Sequence, residues 1–407
     1  IADLDVPAIT INGNDEEAYP TLEAACAAAS EGDVVILRYN GRRVDADGRP
    51  LPPEKPLRVT NKKITIRAGR GYRPVVEFSA APGASEDQTR MITLIGGGIE
   101  LLNLDLRMQV RDGIATDAWA LVSLHGAESA RLKGVNVTVV NPTAVPGVAV
   151  VEITAGLGSR RMDMGMMKTT AEAAASPFEI GLSDCLVRGG CDLLAVRKAR
   201  PGWCTIEQTA VAIDGALLHV AGDESSDSMH EQELDLRLDH VTAVVGSGLL
   251  RMDSGDEGIS SPGGELLPVR VTARNNLFAA NTATPLVVMS GALDADEFRR
   301  LLKWNGEKNF YDQFAVFWSI TPTEAGALPE RLDFDAWKQM WAALGDTSEV
   351  GAANDPVPWR QNWLDRELRD LQPADFALRQ DPQTAPFEAT DGTHAGADPQ
   401  RLQPPAE

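Results

Sequence analysis

The chain has 407 residues, with 38 Lys and Arg against 59 Asp and Glu, so its formal net charge is −21. An apolar content of 43% is enough to bury a core and excludes general disorder. The acid excess argues against binding to nucleic acid or to an anionic membrane, because both depend on clustered Lys and Arg. We therefore predict a globular protein with neither partner.

The apolar runs, the first residue and the four cysteines bear on membrane insertion, on the origin of the segment and on disulfide or metal binding. No apolar run approaches about 18 residues, so we predict no membrane insertion by this segment. The start at Ile1 suggests a mature form or a segment of a larger polypeptide. The cysteines fit no common zinc spacing, and free buried thiols are the prediction for Cys26, Cys185, Cys191 and Cys204.

The first predicted element is an N-terminal strand and helix within residues 1–33. Residues 21–29 are rich in Ala, Thr21 is a candidate N-cap, and Gly32 follows the helix end. Such a helix would cover the open end of a stack of strands and block edge-to-edge pairing there. We predict that it caps the stack of strands that begins with the next strand, residues 34–37.

Residues 34–325 contain an internal repeat of short strand-like runs. A polar residue followed by apolar residues recurs at uneven separations, and we align the following pairs in one column: 105–106, 136–137, 184–185, 209–210, 240–241, 276–277 and 309–310. A second apolar run follows each of several turns, as at 193–196, 217–220, 249–252 and 286–289. Units of this kind stack because none can bury its apolar face alone.

The repeat predicts an all-β fold, a right-handed parallel β-helix. Residues 234–238 alternate apolar and polar side chains, which is the period of a strand, and helical periodicity is scarce. A β-propeller would need four strands per unit, which is more than the repeat supplies. In the β-helix the aligned column would form a ladder of stacked side chains inside the solenoid.

The C-terminal part predicts a Trp-rich helical cap over residues 326–372. Phe334, Trp337 and Trp341 have helical spacing, and Trp359 and Trp363 follow four residues apart. A sugar-stacking platform is the alternative role for these aromatics. Residues 373–407 are rich in Pro, Asp, Gln and Ala, so we expect an extended tail.

Several stretches carry a family resemblance. Residues 19–25 with 32–37, continued by 57–59, 64–68 and 73–76, look like the opening of pectate-lyase-like β-helices. The same stretches and the closing residues 374–379 and 396–399 resemble the region appended to some large bacterial serine/threonine protein kinases. The resemblance implies this architecture and such a parent protein. The sequence has no His-Arg-Asp and no Asp-Phe-Gly, so a kinase catalytic domain would lie outside the chain.

The candidate catalytic residues are His219, Arg251, Asp253 and Asp256. Aligning the runs at 217–218 and 249–250 puts His219 beside Arg251 on the outer face. The turns that follow add Asp223, Asp253 and Asp256 as candidate Ca²⁺ ligands, the cation a polysaccharide lyase would use. A glycoside hydrolase would use paired carboxylates instead. The alternative is that these charges pair with one another on a solvated face.

The methionine-rich segment around residues 162–167 occupies the longest gap in the repeat. We predict an excursion from the solenoid, and Met162, Met164, Met166 and Met167 are a candidate partner surface because Met side chains adapt to varied contacts. A loop folded down with its methionines buried is the alternative.

These observations favour a non-catalytic recognition or structural module of a larger bacterial protein, outside the cytoplasm or at the cell surface. Its ligand would be a glycan or a protein chain, and no cofactor is expected. A polysaccharide lyase or glycoside hydrolase, with Ca²⁺ for the lyase, is the first alternative. A self-assembling surface or fibre protein is the second, since solenoids with uncovered ends can stack.

Overall fold

The computed structural model of the chain describes residues 7–45, 47–81, 83–84, 88–114, 118–126, 128–154, 177–222, 233–254, 266–281, 283–291, 293–312, 314–322, 328–345, 348–363, 365–379 and 387–402. These ranges contain the helices α1 (Leu22–Ala28), α2 (Ala295–Arg300) and α3 (Phe334–Ala343). None of the helices in these ranges has the length and hydropathy to cross a membrane.

The strands form three stacks, which we name sheets A, B and C. Strands β3 (Leu57–Ala68), β5 (Arg90–Leu102), β14 (Gly202–Ile213) and β16 (Leu234–Val245) each turn a corner and contribute to two stacks. Sheet A contains the first parts of β3 and β5, then β7 (Trp119–Leu124), β10 (Val148–Ile153), β13 (Asp192–Val196), β15 (Leu218–Ala221), β17 (Leu250–Asp253), β20 (Val287–Gly291), β23 (Trp318–Pro322) and β24 (Glu330–Leu332).

Sheets B and C continue each coil. Sheet B contains β1 (Ile9–Ile11), β2 (Val34–Leu37), the second parts of β3 and β5, β8 (Glu128–Lys133), β11 (Phe178–Ser183), the first parts of β14 and β16, β18 (Val269–Arg274), β21 (Leu302–Glu307) and β25 (Ser348–Val350). Sheet C contains β4 (Val75–Ser79), β6 (Asp105–Gln109), β9 (Asn136–Val140), β12 (Leu186–Gly189), the second parts of β14 and β16, β19 (Leu277–Ala280), β22 (Phe310–Asp312) and β26 (Ala353–Asn354).

Nearly all pairings are parallel and join one coil to the next, so the fold is an all-β solenoid. The antiparallel pairings between named strands of the described ranges are β1 with β2 and β23 with β24. The alternation predicted at residues 234–238 is confirmed, because Leu234, Leu236 and Leu238 are buried while Arg237 is exposed. Each strand therefore sends alternate side chains into the solenoid and out to its surface.

The core consists of apolar side chains stacked coil upon coil. In sheet B the register aligns one unbroken interior column, and all of its members are buried: Ile64, Ile99, Ala130, Ile180, Cys204, Leu236, Val271 and Trp304. All four cysteines are free and buried, as predicted. Burial raises the pKa of Cys26 and of Cys185 to about 12, so these thiols pack as small apolar groups.

A corner residue with positive φ joins sheet B to sheet C in successive coils. This corner column is Asn103, Gly134, Asp184, Gln208, His240, Asn275 and Lys308. The left-handed conformation strains most side chains, and Asn and Asp tolerate it better than others. Glycine suits position 134 because its φ is positive, and also because a Cβ there would lie 2.4 Å from Asn103 Oδ1.

The single interior ladder predicted from the repeat is wrong in register. Asp184 and His240 belong to the corner column, whereas Thr209, Asn276 and Asn309 lie one residue later and are buried. Asp105 and Asn136 lie two residues after the corner and pair on the outer side of sheet C. A short interior ladder does exist, since Asn276 Nδ2 donates to Asn309 Oδ1 at 2.8 Å.

The two ends of the solenoid contact helices. The Thr21 hydroxyl accepts a hydrogen bond from Ala24 N at 3.1 Å, so the predicted N-cap of α1 is confirmed. Lys62 of β3 donates its ammonium to Cys26 O and Ala29 O at the end of α1. These bonds satisfy helix carbonyls that have no partner within the helix.

At the far end, α3 buries two tryptophans against the last coils. Trp337 makes an edge contact with Trp304, with ring centroids 5.3 Å apart, and Trp341 stacks on Trp318 at 5.5 Å. The helical interpretation of Trp359 and Trp363 is wrong. Both belong to an irregular segment and pack against each other at 6.0 Å.

The described residues of that irregular segment, 355–363, 365–379 and 387–402, lie along the outside of sheet C, and we call them the C-terminal strap. Two short 3-10 helices, Leu368–Asp370 and Pro373–Phe376, are its regular elements within the described residues. Its apolar side chains cover an apolar strip of sheet C that includes Leu186, Ala210, Ala212, Val244 and Ala279. The residues expected to form a tail from 373 onward thus pack on the solenoid wherever they are described.

The strap is bonded to the corner column at several coils. Gly396 N donates to Asn275 O at 2.7 Å, and Asp398 N donates to Gln208 Oε1 at 3.1 Å. Arg401 pairs with Asp184 at 2.8 Å. Residues 396–401 of the strap therefore run antiparallel to the order of the coils, from Asn275 back to Asp184.

Candidate functional site

Three of the four predicted catalytic residues, His219, Arg251 and Asp253, lie on the outer face of sheet A. His219 and Arg251 are register partners in β15 and β17, and Ala221 is the partner of Asp253. His219 Nδ1 lies 3.1 Å from Asp192 Oδ2, while Arg251 donates to Asp253 Oδ2 at 3.3 Å. The structure thus brings His219, Arg251 and Asp253 to one face, each with a side-chain partner.

The remaining predicted site residues lie outside the described residues. These are Asp223 and Asp256, together with the methionines Met162, Met164, Met166 and Met167. Across the ranges given above, no group of three or more His, Cys, Asp and Glu side chains could hold a metal ion. The Ca²⁺ site stays a prediction, since two of its three candidate ligands are not placed.

Earlier coils of sheet A carry a buried charged network centred on Glu152, which is 0% exposed. Arg90 binds its carboxylate through two nitrogens, Nε at 2.7 Å and Nη2 at 3.2 Å. Arg197 Nε donates to the other side of the same group at 2.8 Å. Burial raises the pKa of Glu152, but the two arginines outweigh it and the pKa is lowered.

Ser123 and His125 complete this network. The Ser123 hydroxyl donates to Glu152 Oε2 at 2.8 Å and lies 3.1 Å from His125 Nε2. A serine beside a histidine resembles a nucleophile with its base, but Ser123 is 0% exposed and its proton is directed at a carboxylate held by two arginines. The arrangement favours a structural role for the network.

A groove on the outer face of sheet C, which we call the arginine groove, has the opposite charge to the chain as a whole. Arg73, Arg107 and Arg188 line it, with Asp105 as its one lining carboxylate among the described residues, and its volume is about 350 Å³. Arg107 and Arg188 are each register partners of Thr138, so they are two coils apart. Two coils correspond to roughly 10 Å along the solenoid.

The local contacts leave part of this positive charge available. Arg188 Nε donates to Thr138 Oγ1 at 3.0 Å, and its Nη1 donates to Leu371 O of the C-terminal strap. Burial lowers the pKa of Arg188, the charges of Asp105, Asp370 and Asp375 oppose that effect, and the neighbouring Arg107 charge adds to it. Asp105 accepts from Asn136 Nδ2 at 2.7 Å. Arg107 is exposed and has no hydrogen-bond or ion-pair partner among the described residues.

Sequence reasoning missed the arginine groove and the buried network. The residues of each come from different coils, so no local motif connects them. The available signal is the register, because aligning β6, β9 and β12 stacks Arg107, Thr138 and Arg188 in one outward column. The predicted pair His219 and Arg251 was found by the same kind of alignment.

No protein-family model, curated protein or solved structure matches the chain. The long stack of mainly parallel strands is the feature that the structure shares with the β-helices it was expected to resemble.

Proposed function

We propose that the chain is a non-catalytic recognition module that binds an acidic glycan in the arginine groove. The observation that supports this proposal is a groove lined by three arginines and one aspartate in a chain of net charge −21. Guanidinium groups bind carboxylates through paired hydrogen bonds, and such charge-assisted bonds are about twice as strong as neutral ones.

The geometry of the groove suits an extended ligand. Arg107 and Arg188 are separated by two coils along the solenoid, and Thr138 lies between them. Anionic groups that recur along a chain could therefore meet successive positive charges. The strap residue Gln372 lines the groove on one side and would limit the ligand there.

The finer architecture and the setting belong to the same proposal. The solenoid is a right-handed β-helix with α1 and α3 as its end caps, supported by the bonds from Lys62 to α1 and by the Trp337 and Trp341 contacts of α3. The resemblance supports an extracytoplasmic module of a larger bacterial polypeptide, with a serine/threonine protein kinase as its candidate parent.

The test is calorimetric titration with oligogalacturonate and with its methyl-esterified, neutral counterpart. We expect binding of the acidic form that weakens with salt, and a loss of roughly tenfold or more in the Arg107→Gln variant. Arg237→Gln is the matched control, because Arg237 is exposed on sheet B and has no partner among the described residues.

Equal binding of the neutral glycan, or an equal loss in the Arg237→Gln control, would contradict the proposal. The products of the same incubations are analysed for chain cleavage. Cleavage would support the lyase or hydrolase alternative instead.

A further inference from the structure

A second cleft lies between two parts of the C-terminal strap, over the corner column. One wall is formed by Arg360 and residues 374–379, the other by residues 391–401, and His240 and Gln208 line its base. Its volume is about 990 Å³, larger than that of the arginine groove. Neither wall contributes a residue to the arginine groove.

Two arginines project into this cleft from a short antiparallel pairing within the strap. Trp359 and Leu378 are bridge partners, and Arg360 N donates to Ala377 O at 2.8 Å on one side of them. On the other side Arg379 N donates to Pro358 O at 2.9 Å. Arg360 and Arg379 are therefore diagonal neighbours on one face of the pair, within reach of a shared ligand.

These arginines have no carboxylate partner in the part of the chain that the structure describes. Arg379 Nε donates to a backbone oxygen, Trp359 O, at 3.0 Å, and Arg360 makes no side-chain bond there. Both residues are exposed at the cleft. The chain has many acidic residues, yet these two neighbouring arginines have no carboxylate partner among the described residues. Their positive charge therefore favours the binding of an external anion.

The carboxylates that line the cleft are engaged elsewhere. Asp391 accepts from Thr393 N at 2.9 Å and from Thr393 Oγ1 at 2.6 Å, and it lies 3.5 Å from His240 Nε2. Asp398 accepts from Gln400 N at 2.9 Å. Local turns thus hold these groups, and neither forms an ion pair with Arg360 or Arg379.

The rest of the lining is largely apolar. Phe376, Ala395 and Ala397 are buried side chains at the cleft, and Leu378 is half-buried there. A ligand pocket commonly combines such an apolar surface with a few polar groups that fix orientation. The geometry points to a binding site for a small amphiphilic carboxylate, whose carboxylate is held by Arg360 and Arg379 and whose apolar body lies along the apolar lining of the cleft.

The experiment is a titration of the full chain, labelled with ¹³C on alanine methyl groups, with octanoate as the probe. We expect saturable shifts of the Ala395 and Ala397 methyls and none at Ala27, which is exposed on α1. 1-Octanol and inorganic phosphate are titrated separately, and each should bind at least tenfold more weakly than octanoate. Shifts that do not saturate, or that appear equally at Ala27, would overturn the proposal.

The variants test the two arginines separately. Arg360→Gln and Arg379→Gln should each weaken octanoate by roughly tenfold or more, whereas Arg237→Gln and the groove variant Arg107→Gln should not change it. Octanol binding as tightly as octanoate would overturn the role of the carboxylate, and phosphate doing so would overturn that of the apolar body. An unchanged affinity in both cleft variants would overturn the site even if the arginine groove binds its glycan.

Discussion

Glu349 should make the stability of the C-terminal coils fall as the pH rises from 4.5 to about 7. Its carboxylate accepts from Asn309 Nδ2 at 3.2 Å, from Tyr311 Oη at 3.1 Å, and from Trp304 Nε1. Burial raises its pKa to about 7, and the hydrogen bonds from Asn309, Trp304 and Tyr311 lower it but do not compensate. The perturbation that isolates this group is Glu349→Gln.

The sign follows from proton linkage. The ordinary pKa of 4.5 applies to the unfolded chain, so the folded protein binds one more proton between pH 4.5 and about 7. The contribution of Glu349 is fully present below pH 4.5 and is lost as pH rises through about 7, at about 1.4 kcal/mol per pH unit. The loss amounts to about 3 kcal/mol, and it is absent from the Glu349→Gln variant.

The assay is urea denaturation from pH 4 to pH 9, followed by tryptophan fluorescence. Trp304, Trp318, Trp337 and Trp341, four of the eight tryptophans, cluster at this end of the solenoid, so the signal includes the coils around Glu349. The free energy of unfolding of the wild type minus that of Glu349→Gln should fall between pH 4.5 and 7 and level off above. Glu307→Gln is the control, since Glu307 lies nearby, is only half-buried and pairs with Arg274 at the surface. A difference that stays flat with pH, or one that the control reproduces, would refute the reasoning.

Three other outcomes are expected. Glu152→Gln should cost roughly 3–5 kcal/mol in urea denaturation, because two arginines lose their counter-charge, and an unchanged midpoint would contradict that role. The Asp239 hydrogen bond and the Asp391 charge raise the pKa of His240, although its burial lowers it. Protonated His240 therefore stabilises the strap below pH 6.5, and this stabilisation is lost as the pH rises through the pKa of His240 in the folded protein. Amide exchange at residues 388–396 should show this loss, and His240→Ala should remove it. Asp253→Ala and the wild type should both lack turnover of acidic and neutral polysaccharides with and without Ca²⁺, whereas turnover that the substitution abolishes would establish the enzyme.

The sequence was sufficient for the strand pattern and for part of the register. Alternation at residues 234–238 identifies a strand with one buried side, and the runs at 217–218 and 249–250 align because apolar side chains of successive coils stack. The ladder was misplaced since Asn, Asp and Thr suit three adjacent positions, which are the strained corner, the hydrogen-bonded interior and the outer face.

The candidate sites and the strap needed the structure. Arg73, Arg107 and Arg188 are distant in sequence and meet only through the stacking of coils. Spacing alone assigned Trp359 and Trp363 to a helix, although Pro356 and Pro358 lie just before them and disfavour one. Where an irregular segment docks depends on which outward strip of the sheets is apolar, and that strip emerges only when the register is known.

From β5 onward the connection between sheets B and C has nearly the same length in every coil, whereas the connection between sheets A and B differs in length from coil to coil. The chain passes this corner in a residue or two, as from Lys133 to Asn136 or from Asp239 to Val241. Between sheets A and B the connection varies, being short from Val196 to Gly202 and long from Ile153 to Phe178. The tight corner fixes the register of sheets B and C, so the connection between sheets A and B is where foreign peptide could be inserted while the stacking of the coils is retained.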